Sequence, residues 1–308
     1  MQAGKKVLSW TVVVAYVSIA VTQAQAQNRG VYPLGMTAIN SGITPASGFT
    51  YGNQLLYYSR DQAKDNEGST MPAKGLNYVL MDMNTFSWVS TYKILGAAYS
   101  AAATLPFAKN DLTSDLHGNL SGGAGFADSY YMPFILGWSP ERAAVRLIYG
   151  FLAPTGRFAA DSNSNVGSGY WTHAISSGQT FYPTKGKILA LSAFEMYEFH
   201  TTQEGTGVHP GDTFDLDYSA LASVLRAKGF RLQIGPSGYE ARQTTAKTGP
   251  QVSLAASKDR YAINALGFAV NMAFPKRKAS VAFKYFKEFA NRSTFQGSSL
   301  QFVAAISF

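Results

Sequence analysis

Histidine and serine are the residue types in this chain that could perform nucleophilic chemistry. A serine hydrolase needs a histidine within about 3 Å of its serine. His173 lies close in sequence to Ser176 and Ser177, and His209 lies close to Asp212. Neighbours along one strand or loop do not form such an arrangement, because their side chains diverge or follow one another along the chain. We therefore interpret these histidines as surface residues.

The remaining motifs are weaker still. His117 and His200 do not stand with a second histidine and a carboxylate at the spacing of a metal site. The glycine-rich stretch 121–125 lacks the strand, helix and lysine of a phosphate-binding loop. The chain contains no cysteine, so thiol chemistry and disulfides are excluded. We expect no catalytic residue, no metal ligand and no cofactor.

The last ten residues predict a β-strand that could face lipid. Alternate side chains of a strand point to opposite faces, so one face of residues 299–308 is apolar. A terminal aromatic of this kind resembles the assembly signal of outer-membrane proteins in Gram-negative bacteria, and we predict that role for Phe308. A soluble β-protein could end on a similar strand. The apolar face consists of Leu300, Phe302, Ala304, Ile306 and Phe308.

The first 26 residues predict a cleaved secretory signal. Lys5 and Lys6 precede an apolar run over 7–21, and small residues follow at 24–26. The run is shorter than the roughly 18 to 20 residues that a spanning helix needs, which disfavours the alternative of an uncleaved anchor. No cysteine follows that could carry a lipid. We expect the mature chain to begin at Gln27.

Composition is consistent with an exported β-barrel. Without residues 1–26 the chain keeps 24 basic and 18 acidic residues, and this dispersed excess does not suit nucleic-acid binding. There are 4 Trp, 18 Tyr, 20 Phe and 29 Gly, with a mean hydropathy of −0.06. A barrel hides its apolar surface in alternation, so its mean hydropathy stays near zero. A soluble β-sandwich could share these totals.

Alternation bounded by turn residues predicts about twelve strands. The links between them alternate between short turns and longer polar loops, which is typical of outer-membrane barrels with periplasmic turns and extracellular loops. The predicted strands are 49–60, 76–92, 97–107, 126–138, 142–153, 169–182, 187–200, 213–225, 230–241, 259–274, 279–291 and 299–308. The short links are 93–96, 139–141, 183–186, 226–229 and 275–278, and the long ones are 61–75, 108–125, 154–168, 201–212, 242–258 and 292–298.

These features predict an all-β fold, an antiparallel transmembrane barrel in the outer membrane of a Gram-negative bacterium. The barrel would comprise residues 49–308, and its last strand would pair with the first near Tyr51 to Tyr58, because an open edge is not tolerated in lipid. In strand 187–200, Glu195 and Glu198 have opposite parity. That pattern predicts a β-bulge, or an exit from the membrane before Glu198.

Two segments could constrict the lumen. Residues 27–48 are too apolar for a simple tail, and could form a plug or lie in the periplasm. The loop from Pro154 to Trp171 is rich in Gly, Asn and Ser and could bend inward. Its candidate constriction residues are Pro154, Thr155, Gly156, Asn165 and Trp171.

Strand parity also predicts a mixed, slightly basic lumen wall. Charged side chains that faced lipid at mid-depth would cost roughly 2 to 4 kcal/mol for Arg or Lys, so they are expected to face inward. The candidate pore-lining residues are Arg142, Arg146, Arg231, Lys284 and Glu288.

Several short patches occur in an order that resembles the proteins assigned to the meta-pathway of phenol degradation, which are thought to be outer-membrane transporters. The stretch 44–48 departs from the family, where a richer Pro-Pro-Gly stretch is usual. The patches extend over nearly the whole mature chain: Tyr32 to Gly35, Gly150 to Gly156, Asn165 with Gly167 and Gly169 to Trp171, Tyr197 to Phe199, Pro210 to Asp212, Gly235 with Gly238 and Tyr239, Gly249 to Gln251, and Asn291 and Arg292 with Gln296 and Gly297.

The resemblance implies passive uptake of small aromatic or hydrophobic compounds. The expected partners are outer-membrane lipid, the outer-membrane assembly machinery and the transported solutes, with no nucleic acid. Two alternatives stay open at this point: a barrel enzyme of the lipid hydrolase type, and a structural or adhesive barrel.

Overall fold

A computed structural model describes residues 30–72, 75–114, 118–250 and 252–308. The signal peptide predicted over 1–26 and His117 lie outside these ranges. The described strands are β1 Gly48–Lys64, β2 Gly75–Ile94, β3 Ala97–Ser114, β4 Gly118–Phe126, β5 Ser129–Trp138, β6 Ala143–Ala153, β7 Thr172–Phe181, β8 Leu189–His200, β9 Thr213–Ala227, β10 Phe230–Gln243, β11 Ala262–Phe274, β12 Ala279–Glu288 and β13 Thr294–Ser307.

The strands form one closed antiparallel barrel. β13 pairs with β1, and the register places Tyr51 opposite Ile306 and Tyr58 opposite Ser299, which confirms the pairing predicted between the last strand and the first. β4 pairs with the distal part of β3 and β5 with its proximal part, so these two strands share one position around the wall. Twelve positions result, and the predicted twelve-strand barrel is confirmed.

The two faces of the wall follow the predicted alternation. On β13, Phe302 is 53% exposed on the outside, and Phe308 just after the strand is 71% exposed, whereas Gln301 is fully buried inside. On β12, Val281 is exposed, whereas Lys284 is buried. Period-two side-chain geometry is the cause, since each strand has one apolar and one polar face.

Two predicted features of the wall are wrong. The loop expected over 108–125 is largely strand, because β3 continues to Ser114 and β4 begins at Gly118. A hairpin that extends beyond a bilayer needs only backbone hydrogen bonds, so it carries no apolar stripe that would show it in the sequence.

Strand β8 contains no bulge at its two glutamates, so of the two predicted alternatives only an exit from the membrane before Glu198 stays a prediction. Its pairing with both neighbours is regular, so Glu198 faces inward and Glu195 faces outward. Ser177 and Gln179 on β7 donate hydrogen bonds of 2.8 and 2.9 Å to the Glu195 carboxylate. These hydrogen bonds therefore accommodate Glu195 on the outward face, and the strand needs no β-bulge.

The connections define two ends of the barrel. Tight links at 95–96, 139–142, 182–188, 228–229 and 275–278 form the short-turn end, and the opposite end, with the longer links, is the long-loop end. Gly96 and Gly229 have φ angles of 77° and 87°, a left-handed conformation that glycine adopts without steric cost. Among the described residues, no helix has the length and apolar character to cross a bilayer.

Candidate functional site: the barrel lumen

Residues 30–47, which we call the N-terminal segment, run through the lumen from the long-loop end to the short-turn end. Near the long-loop end, the Gly30 N–H donates to Tyr261 Oη at 2.7 Å. Near the short-turn end, Ser47 Oγ donates to the carbonyl oxygen of Ser90 at 3.0 Å. Tyr32, Leu34 and Ala38 are buried in the main apolar cluster, together with inward residues of the wall.

Two inward carboxylates bind backbone N–H groups of the N-terminal segment. Glu198 on β8 accepts hydrogen bonds from Val31 at 3.0 Å and from Tyr32 at 2.8 Å. Asp217 on β9 accepts hydrogen bonds from the N–H groups of Gly35 and Thr37 at 2.8 and 2.9 Å. The Tyr32 hydroxyl also donates to Asp217. These bonds satisfy buried donors that the segment, lacking regular secondary structure, cannot pair internally.

Two inward cations bind carbonyl groups of the same segment. Lys284 on β12 donates to the carbonyl oxygens of Gly35 and Met36 at 2.6 and 2.7 Å. Arg146 on β6 donates from Nε to the carbonyl oxygen of Ser41 at 2.7 Å. Charged wall residues thus face complementary backbone dipoles, and the buried charges are hydrogen-bonded.

The wall contacts the N-terminal segment most closely at a bend around Gly35. Gly35 has a φ of 82°, and a Cβ there would lie 2.7 Å from the Phe286 ring. Lys284 and Asp217 bind the carbonyl and the N–H of this same residue. Tyr58 donates to the carbonyl oxygen of Leu34 at 2.8 Å. Only glycine combines this conformation with this close approach.

A buried ion pair lies farther toward the long-loop end. Arg60 Nε and Glu288 Oε1 are 2.8 Å apart, and both side chains are buried. Tyr239 Oη donates to Glu288 at 3.0 Å, and Asn291 Nδ2 donates to it at 3.1 Å. Such pairs persist in a low-dielectric interior when further hydrogen bonds satisfy their polar atoms, and Tyr239 and Asn291 supply such bonds to Glu288.

Four of the five predicted pore-lining residues face the lumen, and Arg142 does not. Arg146, Lys284 and Glu288 lie on the inward face and make the contacts described above. Arg231 lies on the inward face of β10 near the short-turn end and is half-buried. Arg142 differs, because β6 begins only at Ala143; it is exposed in the preceding turn rather than on the lumen wall.

Several wall residues that bind the segment or the ion pair, among them Glu198, Asp217, Tyr239 and Arg60, were not among the site residues predicted from the sequence. Asp217, Tyr239 and Arg60 lie on strands whose other face is apolar, and Asp215 lies two residues before Asp217. The Asp-Leu-Asp pattern of β9 was the available signal, since two carboxylates of equal parity on a barrel strand must face the interior.

The loop over 154–171 is anchored at the interruption between β4 and β5. Asp128 accepts hydrogen bonds from the N–H groups of Gly156 at 2.9 Å and Ser168 at 2.6 Å. Thr155 Oγ1 accepts a hydrogen bond from the Ser129 N–H at 2.9 Å. The candidate Pro154 is half-buried directly after β6.

The rest of this loop packs against the inner face of the β3–β4 hairpin. Asn110, an inward residue of β3, donates to the carbonyl oxygen of Asn165 at 3.3 Å. Asn165 Nδ2 in turn donates to Ala159 O at 2.8 Å. Trp171 is 45% exposed, and its backbone N–H donates to Thr201 Oγ1 at 3.0 Å. The loop therefore lies at the long-loop end of the lumen.

The described histidines do not form a hydrolase site with the serines near them. His173 faces outward and its Nδ1 lies 3.0 Å from the Tyr149 hydroxyl. Ser176 faces the other side of β7. Ser177 shares the outward face, but it is four residues along the strand, or about 13 Å away at the usual rise.

The other two described histidines also form contacts that hold the fold together. His200 Nδ1 lies 2.8 Å from Thr172 Oγ1, and His209 forms a backbone bridge with Thr248. Within the described ranges, no group of three His, Asp or Glu side chains is arranged to hold a metal ion.

A cleft of about 140 Å³ lies between the beginning of the N-terminal segment and the wall, toward the long-loop end. Its surface is mostly aromatic and aliphatic, with one carboxylate and one guanidinium. The lining residues used below are Tyr58, Arg60, Val79, Met81, Asp215 and Tyr261.

This chain is similar to known proteins both in sequence and in fold. A family model described as "Putative MetA-pathway of phenol degradation" matches residues 60–303. No curated protein matches the chain.

Two solved structures show a similar fold. The COG4313 outer membrane channel from Pseudomonas putida F1 superposes with a TM-score of 0.71 at 13% identity, over 87% of this chain and 98% of that chain. The β-domain of the Bordetella autotransporter BrkA gives a TM-score of 0.53 at 12% identity, over 85% and 100% of the two chains.

Proposed function

The chain belongs to the family described by its relation to the MetA-pathway of phenol degradation, and from this premise we propose that it is an outer-membrane channel for passive uptake of small aromatic or hydrophobic compounds. The observation that carries the proposal is a closed barrel whose lumen holds a hydrogen-bonded segment beside an apolar cleft. The Pseudomonas putida protein of similar fold, described as an outer membrane channel, supports it.

The proposed orientation in the Gram-negative outer membrane places the short-turn end in the periplasm and the long-loop end outside the cell. Short periplasmic turns and longer external loops are typical of such barrels. The outward apolar stripes would contact lipid, and Phe308 would be recognised by the assembly machinery during insertion.

The N-terminal segment is proposed to act as a plug. It contacts side chains of strands around the wall, including β6, β8, β9 and β12. A solute would need the segment to move or would pass beside it. The loop residues Pro154, Thr155, Gly156, Asn165 and Trp171 would narrow the entrance at the outer end, because this loop packs on the inner face of the β3–β4 hairpin.

The test is transport by the purified protein. In planar bilayers we expect small conductance steps, and in liposomes we expect entry of phenol or toluene faster than in liposomes that carry a barrel without a pore. A protein that shows neither conductance nor solute entry would overturn the channel proposal. Lipid release in the same preparation, lost in His173→Ala, would instead support the hydrolase alternative.

A further inference from the structure

The cleft beside the N-terminal segment has the size of a single aromatic ring. An apolar cavity of roughly 150 Å³ is large enough to bind benzene in a protein interior, and this cleft measures about 140 Å³. Val79, Met81 and Ile263 supply aliphatic surface, and Tyr58 and Tyr261 supply aromatic surface. Such a lining favours an aromatic molecule over water or a sugar.

One residue that lines the cleft has a buried oxygen atom without a hydrogen-bond partner. Asp215 lines the cleft and is only 2% exposed. Its Oδ2 atom has no hydrogen-bond partner in the described part of the chain. A buried acceptor without a donor is unfavourable, so a ligand that supplies a donor gains binding energy there.

A charged ligand would lose its hydration on entering this mainly apolar cleft, which disfavours ions of either sign. Glu198 on the neighbouring strand β8 and Asp217 on β9 face the same interior as Asp215. These acidic side chains would repel a bound carboxylate. Arg60 lines the cleft as well, and its Nε is paired with Glu288 at 2.8 Å, so that ion pair rather than a ligand neutralises its charge.

We propose that this cleft is a binding site for a small neutral aromatic molecule that carries a hydroxyl group, with the ring between Tyr58, Tyr261 and Met81 and the O–H donating to Asp215. The proposal rests on the proposed channel function, which it deepens by naming the chemical class of the solute. It also assigns the site to the outer side of the N-terminal segment, before the point where Asp217 and Lys284 hold Gly35.

The test measures binding rather than transport, so that the two proposals can fail separately. The mature chain in lipid nanodiscs is titrated with 4-fluorophenol, fluorobenzene, 4-fluorobenzoate and 4-fluorobenzylammonium, and binding is followed by ¹⁹F NMR against empty nanodiscs. We expect 4-fluorophenol to bind about tenfold more tightly than fluorobenzene, because its hydroxyl supplies the donor that the buried Asp215 oxygen lacks. Both ionic probes should bind more weakly than 4-fluorophenol.

Asp215→Leu should remove the preference for 4-fluorophenol and leave fluorobenzene binding equal or tighter. Asp215→Asn keeps an acceptor oxygen and should retain part of the preference; it also serves if the leucine variant does not fold. Asp111→Asn, the same change on an exposed part of β3, is the matched control. The proposal is overturned if no probe binds, if an ionic probe binds best, or if the preference survives in Asp215→Leu. Solute entry into liposomes without any effect of Asp215 would leave the channel function standing and remove only this site.

Discussion

Individual charged side chains are the main links between the wall and the N-terminal segment. Glu198, Asp217, Lys284 and Arg146 each bind backbone atoms, so they hold the segment without depending on its side chains. Hydrogen bonds to charged groups contribute about 1.5 to 3 kcal/mol each. Losing a single residue of this kind should therefore alter how firmly the segment is docked.

Asp217→Asn is expected to loosen the segment. Asp217 accepts three hydrogen bonds, from the Gly35 and Thr37 N–H groups and from the Tyr32 hydroxyl. An asparagine has only one acceptor oxygen, and its amide would face these donors with donors of its own. We expect docking to weaken by about 2 kcal/mol, seen as longer or more frequent open events in single-channel recordings. Asp111→Asn serves as the control, and unchanged recordings would contradict the role assigned to Asp217.

Substitution of Glu195 tests whether this residue of β8 faces outward. A carboxylate that faces lipid is unfavourable, although less so than Arg or Lys at the same depth. We expect Glu195→Leu to raise the free energy of unfolding in lipid vesicles by about 1 kcal/mol, after the loss of the bonds from Ser177 and Gln179. Glu195→Gln keeps those side chains hydrogen-bonded and should change little. A large destabilisation by leucine would mean that Glu195 faces a protein partner rather than lipid.

At the scale of elements, the barrel wall and the N-terminal segment have separate sources of stability. The wall is held by strand ladders that close on themselves between β1 and β13. The segment is held by side chains of that wall, and its own backbone forms only isolated turns, such as the bond from Met36 N to Pro33 O at 3.1 Å. The wall should therefore fold without the segment.

Deleting residues 30–42 is expected to leave a folded barrel with a wider lumen. Water would solvate Glu198, Asp217 and Lys284 in place of the segment, so these charges would not remain buried without partners. Conductance should rise severalfold, while heat-dependent migration on gels should still show a folded barrel. An unfolded deletion variant would show instead that the segment is part of the structural core.

Asp128 binds the loop over 154–171 near both of its ends. Asp128 accepts hydrogen bonds from both Gly156 and Ser168, near the two ends of the loop. We expect Asp128→Ala to release the loop and to speed tryptic cleavage after Arg157 by roughly tenfold, given the loss of two bonds to a charged acceptor. Asp161→Ala, at an exposed position of the same loop, is the control. Equal cleavage rates would contradict the anchoring role.

At the scale of the whole molecule, the pairing of β13 with β1 closes the barrel. β13 contacts β1 along its length, with pairs from Thr294 to Ser307. Phe308 lies just beyond, with 71% of its surface exposed and its N–H donating to the Phe49 carbonyl at 2.8 Å. Its side chain thus contributes little packing to the folded barrel, so any strong effect of its removal must arise during assembly.

Deleting Phe308 should lower the amount of folded protein in the outer membrane of cells severalfold. Refolding of the purified variant into lipid vesicles should be nearly unchanged, because the β1–β13 pairs from Thr50 to Lys64 remain. Phe308→Tyr keeps an aromatic terminus and should assemble normally. Normal cellular assembly of the deletion variant would show that Phe308 is not an assembly signal.

The sequence by itself determined the wall of this protein. A strand has a period of two and ends at turn residues, so twelve strand positions, the inward and outward faces of several strands and the closing pair could be inferred from local patterns alone. Arg146, Lys284 and Glu288 were identified for the same reason.

Only the tertiary structure decided what occupies the lumen. The N-terminal segment has no periodicity, and its partners Glu198, Asp217 and Lys284 are separated from it by 166 to 249 residues. The register across twelve strand positions decides which inward side chains meet at one depth, and therefore where the segment bends and where Asp215 is left facing an open cleft. No local pattern contains that register, because it arises from closing the sheet on itself.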